Sequence, residues 1–342
     1  MHATAAEREP AILRSQTGGG RRHERPSQFG PPRRAGRTRA RIAIAASGLY
    51  GLLWTCCCLA AEAVAPEQPS GPEALLGRLD PFYKQHVVAD GLLIVSSEKV
   101  REQALHEVAH LVRQMLARRP DALTVLAQKK AYVGVMAYNE MTTDIPECKR
   151  MGPWWDKRAR GLGGNPVTCA EENLLAFPGD PYQGENIFIH EFGHALCGVF
   201  AQLDDQFNTR LRALYQEAKD AGRFRGYGMN NFGEFWAEGV QSWFNCNRSG
   251  GLEAVGPEGE RLSHINTREE LRTHLPAMAK LLDETFRQNP WVYVPVLKRL
   301  DEPHLRGYDP AKAPTFRWPP KVIEAFNRIE AEKAAKKRNA GK

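Results

Sequence analysis

The sequence predicts an α+β fold: a small mixed sheet, one buried helix that carries the chemistry, and a mainly helical C-terminal part. Three observations point there. Short apolar runs of strand length are bounded by turn residues. Longer stretches between them keep helical apolar spacing. The stretch Ile187 to Leu203 is apolar on nearly every side, with Phe188, Phe192, Leu196, Val199 and Phe200, as expected of a helix in the middle of a domain.

The 342-residue chain divides first by composition. Residues 1–41 form a basic leader with ten arginines and no lysine, broken by Gly18-Gly19-Gly20 and Pro31-Pro32. An uncharged, largely apolar run follows over 42–61, then small residues with Ala61-Glu62-Ala63 or Ala63-Val64-Ala65 as an A-x-A cleavage site. Basic flank, apolar core and small-residue exit read as a signal peptide, and the run is also long enough for a signal anchor, so 42–65 is assigned to one of the two. Either way the remainder, 66–342, is expected to be exported to the periplasm, cell surface or medium. A membrane partner follows only if 42–61 stays uncleaved.

The leader also explains the charge. Residues 1–65 hold ten Arg against Glu7, Glu9, Glu24 and Glu62, a net of +6, which leaves 37 basic and 36 acidic residues in the rest. The pI near 9.0 is therefore no sign of a nucleic-acid partner. Some 277 residues suit one large domain or two intimate ones. Outside the signal four cysteines remain, and an even number in an oxidising compartment suggests two disulfides; Cys148–Cys169 and Cys197–Cys246 are the expected pairs.

Along the exported part, residues 66–75 are rich in Pro and Glu and read as a linker. Leu92–Val95, between Gly91 and Ser96-Ser97, predicts a buried strand. Ser97 is the expected cap of a helix whose apolar residues run from Val100 to Ala117, stopped by Pro120. Ala131–Ala137 is a second strand, and a loop with Pro146, Pro153, Gly161, Gly163, Gly164 and Pro166 follows. Leu174–Phe177 reads as a third strand, on whose edge a peptide substrate would lie. Trp154, Trp155, Arg158 and Arg160 in the loop are candidate cleft residues. After the Ile187 helix, a helix is expected from Asn231 to Asn245, and a charged amphipathic one from Lys321.

Two H-E-x-x-H segments occur. Residues i and i+4 share a helix face, so two imidazoles can reach one ion while the glutamate takes a proton from water, the pattern of zinc-assisted hydrolysis. In His106-Glu107-Val108-Ala109-His110 the histidines fall opposite the apolar stripe centred near Val108 and Met115, beside Arg113, and read as a polar face. In His190-Glu191-Phe192-Gly193-His194 they lie inside the apolar helix, where buried polar groups need partners that a metal supplies. Catalytic zinc takes three protein ligands and keeps a position for water. Cys197 is seven residues from His190, about 10 Å along the axis, too far to share the ion. Glu234 and Glu238, four apart on the Phe- and Trp-rich helix, are the candidate third ligands. By the plainer reading Glu234 partners an Asn231 cap and Glu238 is a salt-bridged helix glutamate.

His190-Glu191-Phe192-Gly193-His194, followed by Tyr227-Gly228-Met229-Asn230-Asn231-Phe232-Gly233-Glu234-Phe235-Trp236-Ala237-Glu238, resembles the catalytic domain of anthrax toxin lethal factor and its relatives, over roughly residues 170–250. That family of zincins has a tyrosine seven residues before E-F-F-A-E, as Tyr227 stands here before Glu234, with Trp236 in place of the second Phe. The resemblance implies a zincin-like metallopeptidase domain with one Zn²⁺ per chain, held by His190, His194 and Glu234. It further implies Glu191 as general base, Tyr227 as stabiliser of the oxyanion, and Glu238 behind a histidine, orienting it. The expected partner is a peptide or protein substrate. A zinc-dependent cell-wall amidase and a non-catalytic extracellular binding module on the same scaffold are the competing readings.

Overall fold

Two of the apolar runs form the middle of a four-stranded sheet in the computed structural model, which describes residues 71–340. The basic leader, the 42–65 segment with Cys56 to Cys58, and residues 66–70 of the 66–75 linker lie outside the described residues. A short helix α1 (Pro72–Leu76) opens the described chain where linker was expected, and Leu75 and Leu76 pack beside Leu93 and Tyr132. β1 (Gln85–Ala89) turns through Asp90-Gly91 into β2 (Leu92–Ser96), its antiparallel neighbour. Helices α2 (Glu102–Met115) and α3 (Pro120–Gln128) then lead to β3 (Tyr132–Met136), parallel to β2. β2 and β3 are buried at every position, as near-continuous apolar strands covered on both faces must be.

The fourth strand differs from expectation. β4 is Val167–Ala170, parallel to β3, whereas Leu174–Phe177 is not a strand. The chain instead turns into helix α5 (Glu171–Leu174), and Ala176 sits at φ 53°, a left-handed conformation that no strand tolerates. Glu171 causes this locally: its carboxylate accepts the backbone N–H groups of Arg101 and Tyr138, anchoring the turn. Ser97 likewise does not cap α2. Its hydroxyl accepts from the Lys99 N–H, and the helix begins five residues later.

Before β4, the short helix α4 (Trp154–Arg158) runs into a segment that pairs antiparallel with the outer edge of β4 through Leu162 and Thr168. Arg160 fixes that segment. Fully buried, it donates to both oxygens of Glu172 (2.6 and 3.0 Å) and to the Ala137 and Glu140 carbonyls.

The Ile187 stretch is helix α6 (Ile187–Leu203), capped by Asn186, whose side-chain oxygen accepts from the Ile189 N–H at 3.1 Å. Helix α7 (Phe207–Ala221) and the two-residue strand β5 (Phe224–Arg225) precede α8 (Phe232–Trp243), which packs on α6. Trp236 ties the two helices by donating its indole N–H to the Gly193 carbonyl at 2.8 Å. Phe200, Phe207 and Phe286 surround its ring, and each such side chain fully buried contributes roughly 1.5–3 kcal/mol. β6 (Glu253–Val255) and β7 (Arg261–His264) complete a small antiparallel sheet with β5. Helices α9 (Arg268–His274), α10 (Pro276–Thr285) and α11 (Pro320–Ala340) make the C-terminal part mainly helical. α11 lies on α4: Trp154 stacks on Phe326 and donates to Glu330 at 2.6 Å, while Lys157 sits over Trp318. The architecture is mixed α+β, about half helical. No helix among the described residues is long and apolar enough to cross a membrane.

The expected disulfides are absent; all four cysteines are free. Cys169 packs with Val133 and Val135 on one face of the first sheet, while Cys148 packs with Met136 and Ala170 on the other. Alternation along the strands therefore separates them. The Cys246 carbonyl accepts from Asn186 at the start of α6, and Cys197 lies eleven residues farther along, about 16 Å by helical rise. A disulfide needs Cα atoms roughly 4.4–6.8 Å apart.

Candidate functional site

Helical phase alone brings His190 and His194 to one face of α6, their Nε2 atoms 3.2 Å apart. Glu234, in the first turn of α8, completes a triangle: its Oε2 is 3.2 Å from His190 Nε2 and 3.3 Å from His194 Nε2. Asn231 caps α8 by accepting from Gly233 and Glu234 N–H groups, so Glu234 contributes its backbone to the cap and keeps its carboxylate for the histidines.

The proton on His190 is fixed from behind, and by a residue the sequence reading missed. Gln241 donates through its amide nitrogen to the Asn186 carbonyl (3.1 Å) and Glu185 (3.3 Å). Its oxygen therefore faces His190 Nδ1, at 2.9 Å, and Nδ1 must be the donor. In the neutral ring the Nε2 lone pair is then left pointing at Glu234 and His194. Glu238, expected in this role, has its Oε1 3.8 Å from Nδ1, beyond hydrogen-bond range, and instead accepts from Asn247 at 2.8 Å. The available signal was helical spacing: Gln241 is seven residues after Glu234, two turns along the same face.

The donor set fits a tetrahedral zinc. Bonds of 2.0–2.2 Å to nitrogen and oxygen imply donor atoms about 3.3–3.5 Å apart, close to the triangle observed. The electrostatics agree. Burial works against a charge on His190, yet Glu234, Glu191 and Glu238 pull its pKa up to about 10. Burial would raise Glu234, but the two histidines beside it bring it down to about 2. These acids demand a positive charge at the triangle. His190, Glu191 and His194 also offer ligand atoms all within 4.8 Å of one another.

Glu191 is 9% exposed and opens onto the cleft beside the triangle; burial, countered by the two histidines, raises its pKa. The segment Gly161 to Gly164 lies close against Glu191 and His194: a Cβ on Gly161 would come within 3.1 Å of Glu191 Cγ, and one on Gly163 within 2.6 Å of the His194 Cβ. Tyr227 stands at the mouth, 39% exposed, with its hydroxyl 3.5 Å from Glu234 Oε1 and accepting from Arg158 at 3.2 Å. Its turn is held by Gly226 at φ 105°, where a Cβ would strike the Gly251 carbonyl, and by Tyr227 and Gly228 N–H bonds to Gly250 and Gly251. The whole opens into a cleft of about 820 Å³. Trp155 and Arg158 line it, whereas Trp154 packs under α11 and Arg160 is buried in the core.

The upstream H-E-x-x-H is built differently. His106 bonds Glu102, whereas His110 stacks on His304 near Glu302. Glu107 is buried, its carboxylate engaged by Arg299 and His304, which burial notwithstanding lower its pKa. This glutamate pins α2 to the 296–305 segment and faces no cleft.

The chain matches no family model, no curated protein and no solved structure.

Proposed function

We propose that this chain is an exported zinc metallopeptidase with a zincin-like domain, similar in its site to the catalytic domain of anthrax toxin lethal factor. The observation that carries the reading is the near-equilateral triangle of His190 Nε2, His194 Nε2 and Glu234 Oε2, with Glu191 beside it in a peptide-sized cleft. His190, His194 and Glu234 would hold the ion, and bound zinc supplies Lewis acidity toward water and carbonyl oxygen. Glu191, its basicity raised by burial, accepts the proton of the attacking water and returns it to the leaving amine. Tyr227 aims its O–H at the oxygen on which charge develops. Gln241 keeps His190 in the tautomer with a free Nε2. The edge that receives substrate backbone is the Gly161–Gly164 segment beyond β4, in place of Leu174–Phe177. Export rests on residues 1–65 alone, since the free cysteines add nothing to it.

The test compares the purified 66–342 chain with Glu191→Gln on a proteome-derived peptide library and on cell-wall muropeptides. New peptide termini with the parent, lost in Glu191→Gln, are expected; equal termini in both would sink the peptidase reading, and muropeptide cleavage would replace it with the amidase. Near-stoichiometric zinc is expected in the parent and a sharp fall in Glu234→Ala.

A further inference from the structure

The cleft holds two arginines in contrasting situations. Arg248 is neutralised: its Nε is 2.8 Å from Glu185, its Nη1 donates to the Pro181 carbonyl, and its guanidinium lies over Tyr182. Arg158, at the end of α4, is exposed and pairs with no carboxylate among the described residues. Its polar contact in the cleft is the Tyr227 hydroxyl, and its Cζ lies 5.9 Å from that ring. Three of the cleft acids are engaged elsewhere, Glu234 by the two histidines, Glu185 by Arg248 and Glu238 by Asn247, and the fourth, Glu191, stands beside the histidines. A guanidinium without a carboxylate partner among the described residues is thus left facing the space where a substrate would lie.

We propose that Arg158 selects substrates bearing a carboxylate next to the scissile bond, an inference that rests on the peptidase reading of the same cleft. Position sets the subsite. Arg158 is two hydrogen-bond lengths, 3.2 and 3.5 Å, from Glu234 Oε1 by way of Tyr227. An extended peptide rises about 3.3 Å per residue, so a carboxylate on the residue flanking the cleaved carbonyl falls in this range, whether from Asp, Glu or the peptide C-terminus. The planar fork of arginine matches a carboxylate through two parallel N–H donors, a charge-assisted contact stronger than any the Tyr227 oxygen offers. α4 is braced by α11 through Trp154 and Lys157, both against Phe326, so Arg158 extends from a supported wall.

The experiment uses peptides identical except at the flanking residue (Asp or Glu against Asn or Gln) and at the C-terminus (free against amidated). Zinc-loaded parent and Arg158→Gln are compared in kcat/KM, and the same peptides are titrated calorimetrically against Glu191→Gln and the Glu191→Gln, Arg158→Gln double variant. A preference of about tenfold or more for one carboxylate form is expected in both readouts, collapsing to below threefold when Arg158 is replaced. Which pair shows it identifies the carboxylate as side-chain or terminal. A preference that survives Arg158→Gln, no preference at all, or a uniform fall in kcat/KM with every peptide overturns the proposal. If no peptide is cleaved above the Glu191→Gln background, the peptidase reading fails, while the binding titration still decides the carboxylate preference.

Discussion

Replacing Gln241 by Met removes one hydrogen-bond acceptor from His190 with little change of side-chain volume. In the parent, Gln241 Oε1 accepts from His190 Nδ1 at 2.9 Å and nothing else within hydrogen-bond range does so; Glu238 is 3.8 Å away. Without Gln241 the Nδ1 proton is no longer favoured over the Nε2 proton, and the imidazole can present the wrong nitrogen to the triangle. Partners behind a metal-bound histidine are typically worth 10–100-fold in metal affinity, or about 1.4–2.8 kcal/mol. The Asn186 carbonyl and the His190 N–H also lose a partner in a buried setting, at about 1–3 kcal/mol of stability. Zinc dissociation constants from chelator competition should therefore rise 10–100-fold in Gln241→Met. Glu238→Gln, which leaves the Gln241 contact intact, should change zinc affinity less than threefold. Equal losses in the two variants, or a Gln241→Met affinity within twofold of the parent in a folded protein, would refute the assignment of Gln241 as the orienting group.

Three further outcomes are expected. Gly163→Ala should lower zinc affinity and kcat/KM at least tenfold, because its Cβ would lie 2.6 Å from the His194 Cβ and push the histidine aside; parent-like values would mean that the segment gives way freely. Arg160→Met should destabilise the fold by about 3–5 kcal/mol in urea unfolding by stranding the buried Glu172 carboxylate, with most of the loss recovered in the Arg160→Met, Glu172→Met double variant; a single-variant loss below about 1 kcal/mol would contradict this. Burial, against the pull of His190 and Asn247, raises Glu238 from 4.5 to about 7 in the folded protein, so its favourable contribution is complete below pH 4.5 and is lost as pH rises through 7. Zinc-free Glu238→Gln should accordingly be more stable than the zinc-free parent at pH 8.5, on the order of 2–3 kcal/mol, and equal to it at pH 4; a gain independent of pH would rule that account out.

The apolar runs most legible in the sequence were those of elements whose burial is uniform. β2 and β3 are covered on both faces and α6 on nearly all sides, so their apolar runs survive as unbroken signals. β1 was missed because its first four positions alternate between half-buried and exposed, which leaves only the three-residue apolar stretch Val87-Val88-Ala89. Leu174–Phe177 misled because α5 hides its helical character behind two buried acids, Glu171 and Glu172, whose partners come from distant segments. Within the site, helix phase was enough to bring His190, Glu191 and His194 together, and spacing on α8 to nominate Glu234 and Glu238, of which the resemblance singled out Glu234. Gln241 carries no charge and belongs to no motif, so only the three-dimensional approach of α8 to the start of α6 exposes it. Sheet alternation, invisible without register, set Cys148 and Cys169 on opposite faces.

α4 has five residues, too few to hold a helical conformation without tertiary support. One side of it rests on α11, through Trp154, Phe326, Glu330 and Lys157, and the other gives the cleft Trp155 and Arg158. If α4 keeps its helix only while α11 is seated, docking of the C-terminal helix and occupation of the cleft share one free energy, and whatever lifts the tail weakens binding at Arg158 by the factor with which binding holds the tail. More than 150 residues of sequence separate the two, yet the molecule joins them through a single turn and a half of helix.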